Sequence, residues 1–191
     1  MITPTTLATA DARARLHELT VIDVRTPGEF AGGHLPGAFN IPLDQVRRAL
    51  PDIRAAADRG DVLMVCASGA RSENACAILA ENGIPTATLS GGTGAWAADG
   101  HDLHRPRSTA RAVWGMERQV RLSAGVLVLL GLLLAFFLHP LFQLLSAGIA
   151  AGLVFSALTN TCGMAAMLAR LPHNRPRAGE LDQTLAALRE R

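Results

Sequence analysis

Lysine and tyrosine are both absent from the 191 residues, and only three cysteines and two tryptophans are present. All 18 basic residues are therefore arginine, which we read as genome composition rather than chemistry. Three cysteines, Cys66, Cys76 and Cys162, are an odd number with no metal-pair spacing. Neither a disulfide framework nor a zinc site is expected. The six histidines (17, 34, 101, 104, 139 and 173) never form His-x3-His on an apolar face. His101 and His104 are three apart, but they fall in a linker, so we expect no metal and no cofactor. The first 20 residues lack the apolar core of a signal peptide, so the N-terminal part is expected to begin in the cytoplasm.

Charge and apolarity are distributed unevenly. Residues 1–104 hold 8 arginines against 12 acidic residues, and residues 105–191 hold 10 against 4. The basic half is also the apolar half. That combination indicates membrane helices with arginine flanks and speaks against nucleic-acid binding.

The stretch Val62-Leu-Met-Val-Cys-Ala-Ser-Gly-Ala-Arg-Ser72 organises the N-terminal part. A short apolar strand ends at Cys66, small residues follow, and a helix is expected from Ser72 to Asn82. Inward N–H groups of such a loop, with a helix N-terminus behind it, stabilise negative charge on sulfur. Thiolate, not thiol, is the nucleophile. Gly69 allows a positive φ in the turn, and Arg71 supplies a cation for an anionic substrate. A buried core cysteine is the alternative reading of Cys66.

Around this loop, strands are expected at Thr20–Arg25, Ala38–Pro42, Asp61–Cys66 and Ala87–Leu89, with helices at Thr9–Glu18 and Leu43–Ala57, the second interrupted at Pro51. Thr26-Pro27-Gly28 reads as a turn and Glu29–Gly37 as a Gly/Pro-rich loop. Trp96 is expected to anchor the core edge, and Cys76 to be a small core residue, with a resolving thiol as its other reading. Alternating strands and helices predict an α/β fold with a mostly parallel sheet. Ligands of such sheets sit at the C-terminal ends of strands, where Cys66 lies.

Three stretches resemble one family. Ile22-Asp-Val-Arg-Thr-Pro-Gly-Glu-Phe30 with Gly33-His-Leu-Pro-Gly-Ala38 and Asn40-Ile-Pro42 resembles the first signature of single-domain rhodaneses. Cys66-Ala-Ser-Gly-Ala-Arg-Ser72 resembles their active-site loop, and Gly91-Gly-Thr-Gly-Ala-Trp96 their closing signature. The C-terminal part, with Glu117-Arg-Gln-Val-Arg121 and Cys162-Gly-Met164, resembles membrane-anchored bacterial rhodaneses. The resemblance implies a rhodanese-like domain that moves sulfane sulfur from a donor such as thiosulfate to a thiol or protein acceptor. Cys66 would be the nucleophile, and Ala67, Ser68, Gly69, Ala70 and Arg71 would bind substrate. Asp23, Arg25 and His34 would support the site. Asp23 and Arg25 are expected in salt bridges with neighbours such as Glu29, and His34 is expected to fix its loop by a hydrogen bond. Related phosphatases and arsenate reductases carry a loop one residue longer. Where many sulfurtransferase loops carry a second basic residue, this one has Ala70, so weak thiosulfate binding is expected. A catalytically idle binding module is the rival reading, and such modules usually lack the cysteine.

Leu122–Leu138 is free of charge for seventeen residues, and Leu141–Leu168 is again uncharged. One straight helix over that length would measure about 70 Å, against a hydrocarbon core of about 30 Å. Two spans with a break at His139-Pro140 fit better, with Pro140 in the first turn of the second. Arginines at 105, 107, 111, 118 and 121 precede the hairpin, those at 170, 175 and 177 follow it, and the connector has none. The bias puts both termini in the cytoplasm of an inner-membrane protein. Trp114 would anchor the interface. The stripe Gly148, Gly152, Ser156 and the pair Gly131, Ala135 predict close packing, within the hairpin or between two chains of a homodimer. Asn160, Thr161 and Cys162 sit near the end of the second span, and Cys162 is a candidate sulfur acceptor. The expected organisation is a catalytic domain (1–104), a basic linker (105–120), the hairpin (121–169) and a cytoplasmic tail (170–191). In the tail, Leu181, Leu185 and Leu188 share one helix face.

Overall fold

The structure is a computed structural model that describes residues 5–105, 116–159, 163–169, 171 and 179–190. Expectations for Arg107, Arg111, Trp114, Asn160, Thr161, Cys162, Arg170, Arg175 and Arg177 fall outside the described residues. The chain forms two units, Met1–Ala112 with Arg175–Arg191, and Val113–Asn174.

The first unit is built on a parallel sheet of β1 (Thr5–Leu7), β2 (Thr20–Asp23), β3 (Phe39–Asn40), β4 (Val62–Val65) and β5 (Ala87–Leu89), in the order β1-β5-β4-β2-β3. All four residues of β4 are buried, as a central strand covered on both faces requires. Side chains alternate across the sheet. Ile22, Val62 and Met64 enter one core with Ile53 and Leu79, while Val21, Leu63 and Val65 enter the other with Leu89 and Trp96. Trp96 is 2% exposed and donates its indole N–H to the Asp102 carbonyl at 3.2 Å.

The helices of this unit are α1 (Thr9–Ala14), α2 (Pro27–Ala31), α3 (Leu50–Arg59), α4 (Ala70–Glu81) and α5 (Gly92–Ala98). Three features depart from the expected pattern. β1 is an edge strand of three residues, too short to show a period. The segment expected as turn and loop after Thr26 instead forms α2. Its signal was the spacing Thr26-x-x-Glu29 with Pro27 at the first helical position, a capping box in which side chain and backbone bond reciprocally. The expected helix Leu43–Ala57 is a 3-10 turn at Leu43–Gln45 followed by α3, because Pro51 suits a helix start and not its interior.

The last helix, α9 (Glu180–Glu190), belongs to this unit although it follows the apolar segment. Leu181, Leu185 and Leu188 are 7%, 5% and 0% exposed and enter the core of Ile53 and Ala56. Polar contacts frame them. Arg48 pairs with Asp182 at 2.7 Å, Arg59 donates to the Leu188 carbonyl at 2.7 Å, and Arg189 pairs with Asp52.

The second unit holds α6 (Met116–Phe137), a 3-10 turn at Pro140–Phe142, α7 (Gln143–Thr159) and α8 (Gly163–Ala169). The helical stretches Arg118–Phe137 and Pro140–Leu158 are 20 and 19 residues, long enough and apolar enough to span a membrane. Leu129, Phe136 and Leu158 are 61%, 83% and 82% exposed, so these helices present lipid-facing surface, not a covered soluble core. α6 and α7 pack through Gly131. A Cβ there would overlap the Ser146 hydroxyl and stand 3.1 Å from the Ser146 nitrogen. Ser146 Oγ donates to the Val128 carbonyl at 2.9 Å. Among the described residues, nothing lies within 4 Å of a Cβ on Gly148 or Gly152, so α6 does not pack on that stripe.

Candidate active site

β4 delivers Cys66 to the C-terminal edge of the sheet, and the loop 67–69 turns directly into α4. Gly69 caps that helix with φ +105°, a conformation a Cβ would disfavour. The turn brings the Gly69 N–H to 3.1 Å from Cys66 Sγ. Ser72 Oγ lies 3.5 Å from the same sulfur, 2.8 Å from the Gly69 carbonyl and 2.7 Å from Thr88 Oγ1. Cys66 is fully buried, as a core cysteine would be. The N–H and hydroxyl aimed at its sulfur set it apart from one. Cys76 is also fully buried, on α4 among core residues. Burial pushes its thiol upward, against a smaller lowering from Thr86.

The loop is held from behind by the start of α5. Thr93 N–H donates to the Cys66 carbonyl at 2.8 Å, and Gly94 N–H donates to the Ala67 carbonyl at 3.0 Å. Gly92 has φ +60°, and a Cβ on it would overlap the Cys66 carbonyl oxygen and lie 2.7 Å from the Ala67 carbonyl carbon. The closing Gly-rich signature is thus the floor of the loop.

Arg71 does not stand free. Its Nη1 and Nη2 each donate to one oxygen of Glu29 at 2.9 Å. Burial alone would lower the Arg71 pKa; the hydrogen bonds and charge of Glu29 outweigh it and carry the value above the ordinary one. Glu29 also accepts from the N–H and hydroxyl of Thr26 at 3.0 and 2.9 Å, so α2 exists in part to aim this carboxylate. The expected partnership of Glu29 with Asp23 and Arg25 is therefore corrected. Those two pair with each other, Arg25 Nη2 to Asp23 Oδ2 at 2.6 Å, and Arg25 also donates to the Gly33 carbonyl at 2.7 Å.

His34 lies beside this pair. Its ring stacks on Phe30 with centroids 3.6 Å apart, and its Nδ1 is 2.9 Å from the Phe30 carbonyl. Backbone hydrogen bonds run both ways between His34 and His104. Desolvation lowers its pKa, against smaller opposing effects from the Phe30 carbonyl and Asp23, and so favours the neutral ring.

Of the loop residues Cys66 to Arg71, the structure sets the Gly69 N–H against the Cys66 sulfur and turns the Arg71 guanidinium to Glu29. It adds four contributors to which the sequence assigns no role at the sulfur: Glu29, Ser72, Thr88 and Gly92. Among the described residues, no cluster of three or more His, Cys, Asp or Glu could hold a metal.

A model of the rhodanese-like domain matches residues 7–99. A model of the transmembrane domain of YgaP-like inner membrane proteins matches residues 113–177. An uncharacterized protein of Synechocystis is 37% identical over 155 residues, 81% of this chain and 83% of its own. A sulfurtransferase of Allochromatium vinosum is 37% identical over 94 residues, 49% of this chain and 85% of its own. The thiosulfate sulfurtransferase PspE of Escherichia coli is 38% identical over 72 residues, 37% of this chain and 67% of its own. Residues 180–190, which form α9, lie outside both family matches.

Proposed function

The chain belongs to the rhodanese-like family and carries a YgaP-like inner-membrane domain, and on that premise we propose that it is a sulfurtransferase working through a persulfide on Cys66. The observation that carries this reading is the convergence of the Gly69 N–H and the Ser72 hydroxyl on Cys66 Sγ at the end of a central strand. The thiolate attacks the outer sulfur of a donor, the donor's S–S bond breaks, and its remainder leaves with the electron pair. A second thiophile then takes the sulfur from Cys66. Splitting transfer into two displacements is covalent catalysis. The loop N–H groups at Ala67, Ser68, Gly69, Ala70 and Arg71 stabilise charge on the persulfide and the leaving group, as an oxyanion hole does. Thr88 holds Ser72, and Ser72 steadies the sulfur. Asp23, Arg25 and His34 brace α2, which carries Glu29, and the residues just after it, through the Gly33 and Phe30 carbonyls. The reading as a phosphatase or arsenate reductase is disfavoured by four intervening residues between Cys66 and Arg71 and by the engagement of Arg71 with Glu29.

The test uses the full-length protein in lipid nanodiscs. After incubation with thiosulfate and, separately, an alkyl persulfide, intact mass should show one added sulfur, and cyanide should then yield thiocyanate. Cys66→Ala should lose both the adduct and the product while melting at nearly the wild-type temperature. A folded, reduced wild-type protein that gains no sulfur from either donor refutes the mechanism.

Orientation follows from the same premise. β1 to α5 and α9 form one unit although the two apolar helices lie between them in sequence, which supports an even number of crossings. The arginine-rich flanks then favour both ends in the cytoplasm. A protease site inserted after His139 should be cut from outside intact spheroplasts, and one placed after Arg191 should be protected. The reverse pattern inverts the assignment.

A further inference from the structure

We infer that the Ser72 hydroxyl, turned by Thr88, serves the second half of sulfur transfer: it takes up the charge that returns to Cys66 Sγ as the acceptor removes the sulfur, a role that rests on the persulfide reading above.

Proton accounting at Ser72 is the first ground. A hydroxyl has one proton and two lone pairs. Ser72 Oγ has three neighbours, the Gly69 carbonyl at 2.8 Å, Thr88 Oγ1 at 2.7 Å and Cys66 Sγ at 3.5 Å. Ser72 and Thr88 are 0% and 2% exposed, so their hydrogen bonds are made within the protein. Among the described residues, Ser72 is the side-chain partner of the Thr88 hydroxyl. Thr88 therefore donates and Ser72 accepts, since the reverse would leave the Thr88 proton unbonded in the core, which is costly. The Ser72 proton is left to divide between the Gly69 carbonyl and the sulfur.

Charge on the sulfur decides between them. The Gly69 carbonyl also accepts the Glu73 N–H at 2.9 Å, so it stays paired when Ser72 turns away. Rotation about one Cβ–Oγ bond moves the proton from a neutral carbonyl to an anionic sulfur, and hydrogen bonds to ionised groups are the stronger ones. The Gly69 N–H already points to the same atom at 3.1 Å. Two donors from one turn thus address Sγ.

The two halves of the reaction load this atom in opposite directions. In the first, the Cys66 thiolate gives up its charge to form the S–S bond, and a hydrogen bond on it holds that charge back. In the second, an acceptor such as cyanide attacks the outer sulfur, and CN⁻ with Cys66–S–S⁻ becomes SCN⁻ with Cys66–S⁻. The bond between Sγ and the outer sulfur breaks, and its electron pair stays on Sγ. Stabilising a sulfur anion lowers its nucleophilicity and improves it as a leaving group. The hydroxyl pair therefore favours giving sulfur away over keeping it.

Both halves are timed on the full-length protein in nanodiscs by quenched-flow intact mass. Loading uses thiosulfate or an alkyl persulfide, whichever charges the wild type faster, and unloading uses cyanide. Each rate is read on the plateau of its pH profile, so a changed fraction of thiolate does not enter. Ser72→Ala should slow unloading by at least about tenfold, the size of one hydrogen bond to a charged group, and loading by less than about twofold. Thr88→Val should slow unloading by about threefold, and Thr88→Ser, which keeps the hydroxyl, should restore it. A merely structural Ser72 would slow both halves alike. Equal slowing of the two halves in Ser72→Ala, or a Thr88→Val that unloads as fast as Thr88→Ser, overturns the inference and leaves the Cys66 persulfide intact. If Ser72→Ala does not fold, the two Thr88 variants decide alone. A wild type that takes sulfur from neither donor removes the persulfide reading and the inference with it.

Discussion

Removing α9 from the otherwise full-length protein is expected to unfold, or nearly unfold, the unit that carries Cys66. Three leucines, at 7%, 5% and 0% exposure, leave the core with it. Each buried leucine contributes about 1.5–3 kcal/mol by area, so the loss is about 5–9 kcal/mol. Whole domains are stable by about 5–15 kcal/mol. The polar frame adds less, because Arg48 and Asp182 are both well exposed. A chain truncated after residue 178 should therefore melt at least about 20 °C lower, if it folds at all. Fluorescence of Trp96 in a Trp114→Phe background reports this unit alone. Leu185→Ala is the milder version and should cost about 2–5 kcal/mol. A truncated chain with an unchanged melting temperature would show that α9 merely rests on the surface.

Gly92→Ala should disable sulfur transfer by at least about a hundredfold, because small misplacements at a reacting centre have effects of that size. Two separate penalties meet at this residue. Its φ of +60° disfavours any Cβ, and that Cβ would also overlap the Cys66 carbonyl. Gly83 separates them. It has a similar φ of +71°, but nothing lies within 4 Å of a Cβ there. Gly83→Ala should lose about 1–2 kcal/mol of stability and keep its activity. If both variants transfer sulfur alike, the close approach of α5 to the loop has no part in catalysis.

Local chemistry made some of this structure readable in advance. Val62 to Val65 is a continuous apolar run ending in small residues, so a buried strand feeding a loop at Cys66 followed directly. The break at His139-Pro140 was equally local. α2 is also local, but Thr26-Pro27-Gly28 has turn chemistry that competes with the capping box of Thr26 and Glu29. The rest depends on distance along the chain. Glu29 meets Arg71 across 42 positions, and nothing near either residue names the other. Asp52 meets Arg189 across 137 positions. The leucine stripe of α9 announces an apolar partner without saying which, and periodicity carries no more than that.

The position of α9 beyond the hairpin also orders events during synthesis. The ribosome delivers β1 to α5 first, then both apolar helices, and α9 only afterwards. Until then the face of α3 that receives Leu185 and Leu188 has no cover. The nascent unit that carries Cys66 therefore waits, with an open seam, until both apolar helices have been synthesised. Its final closure depends on Leu181, Leu185 and Leu188, which leave the ribosome last of all its core residues.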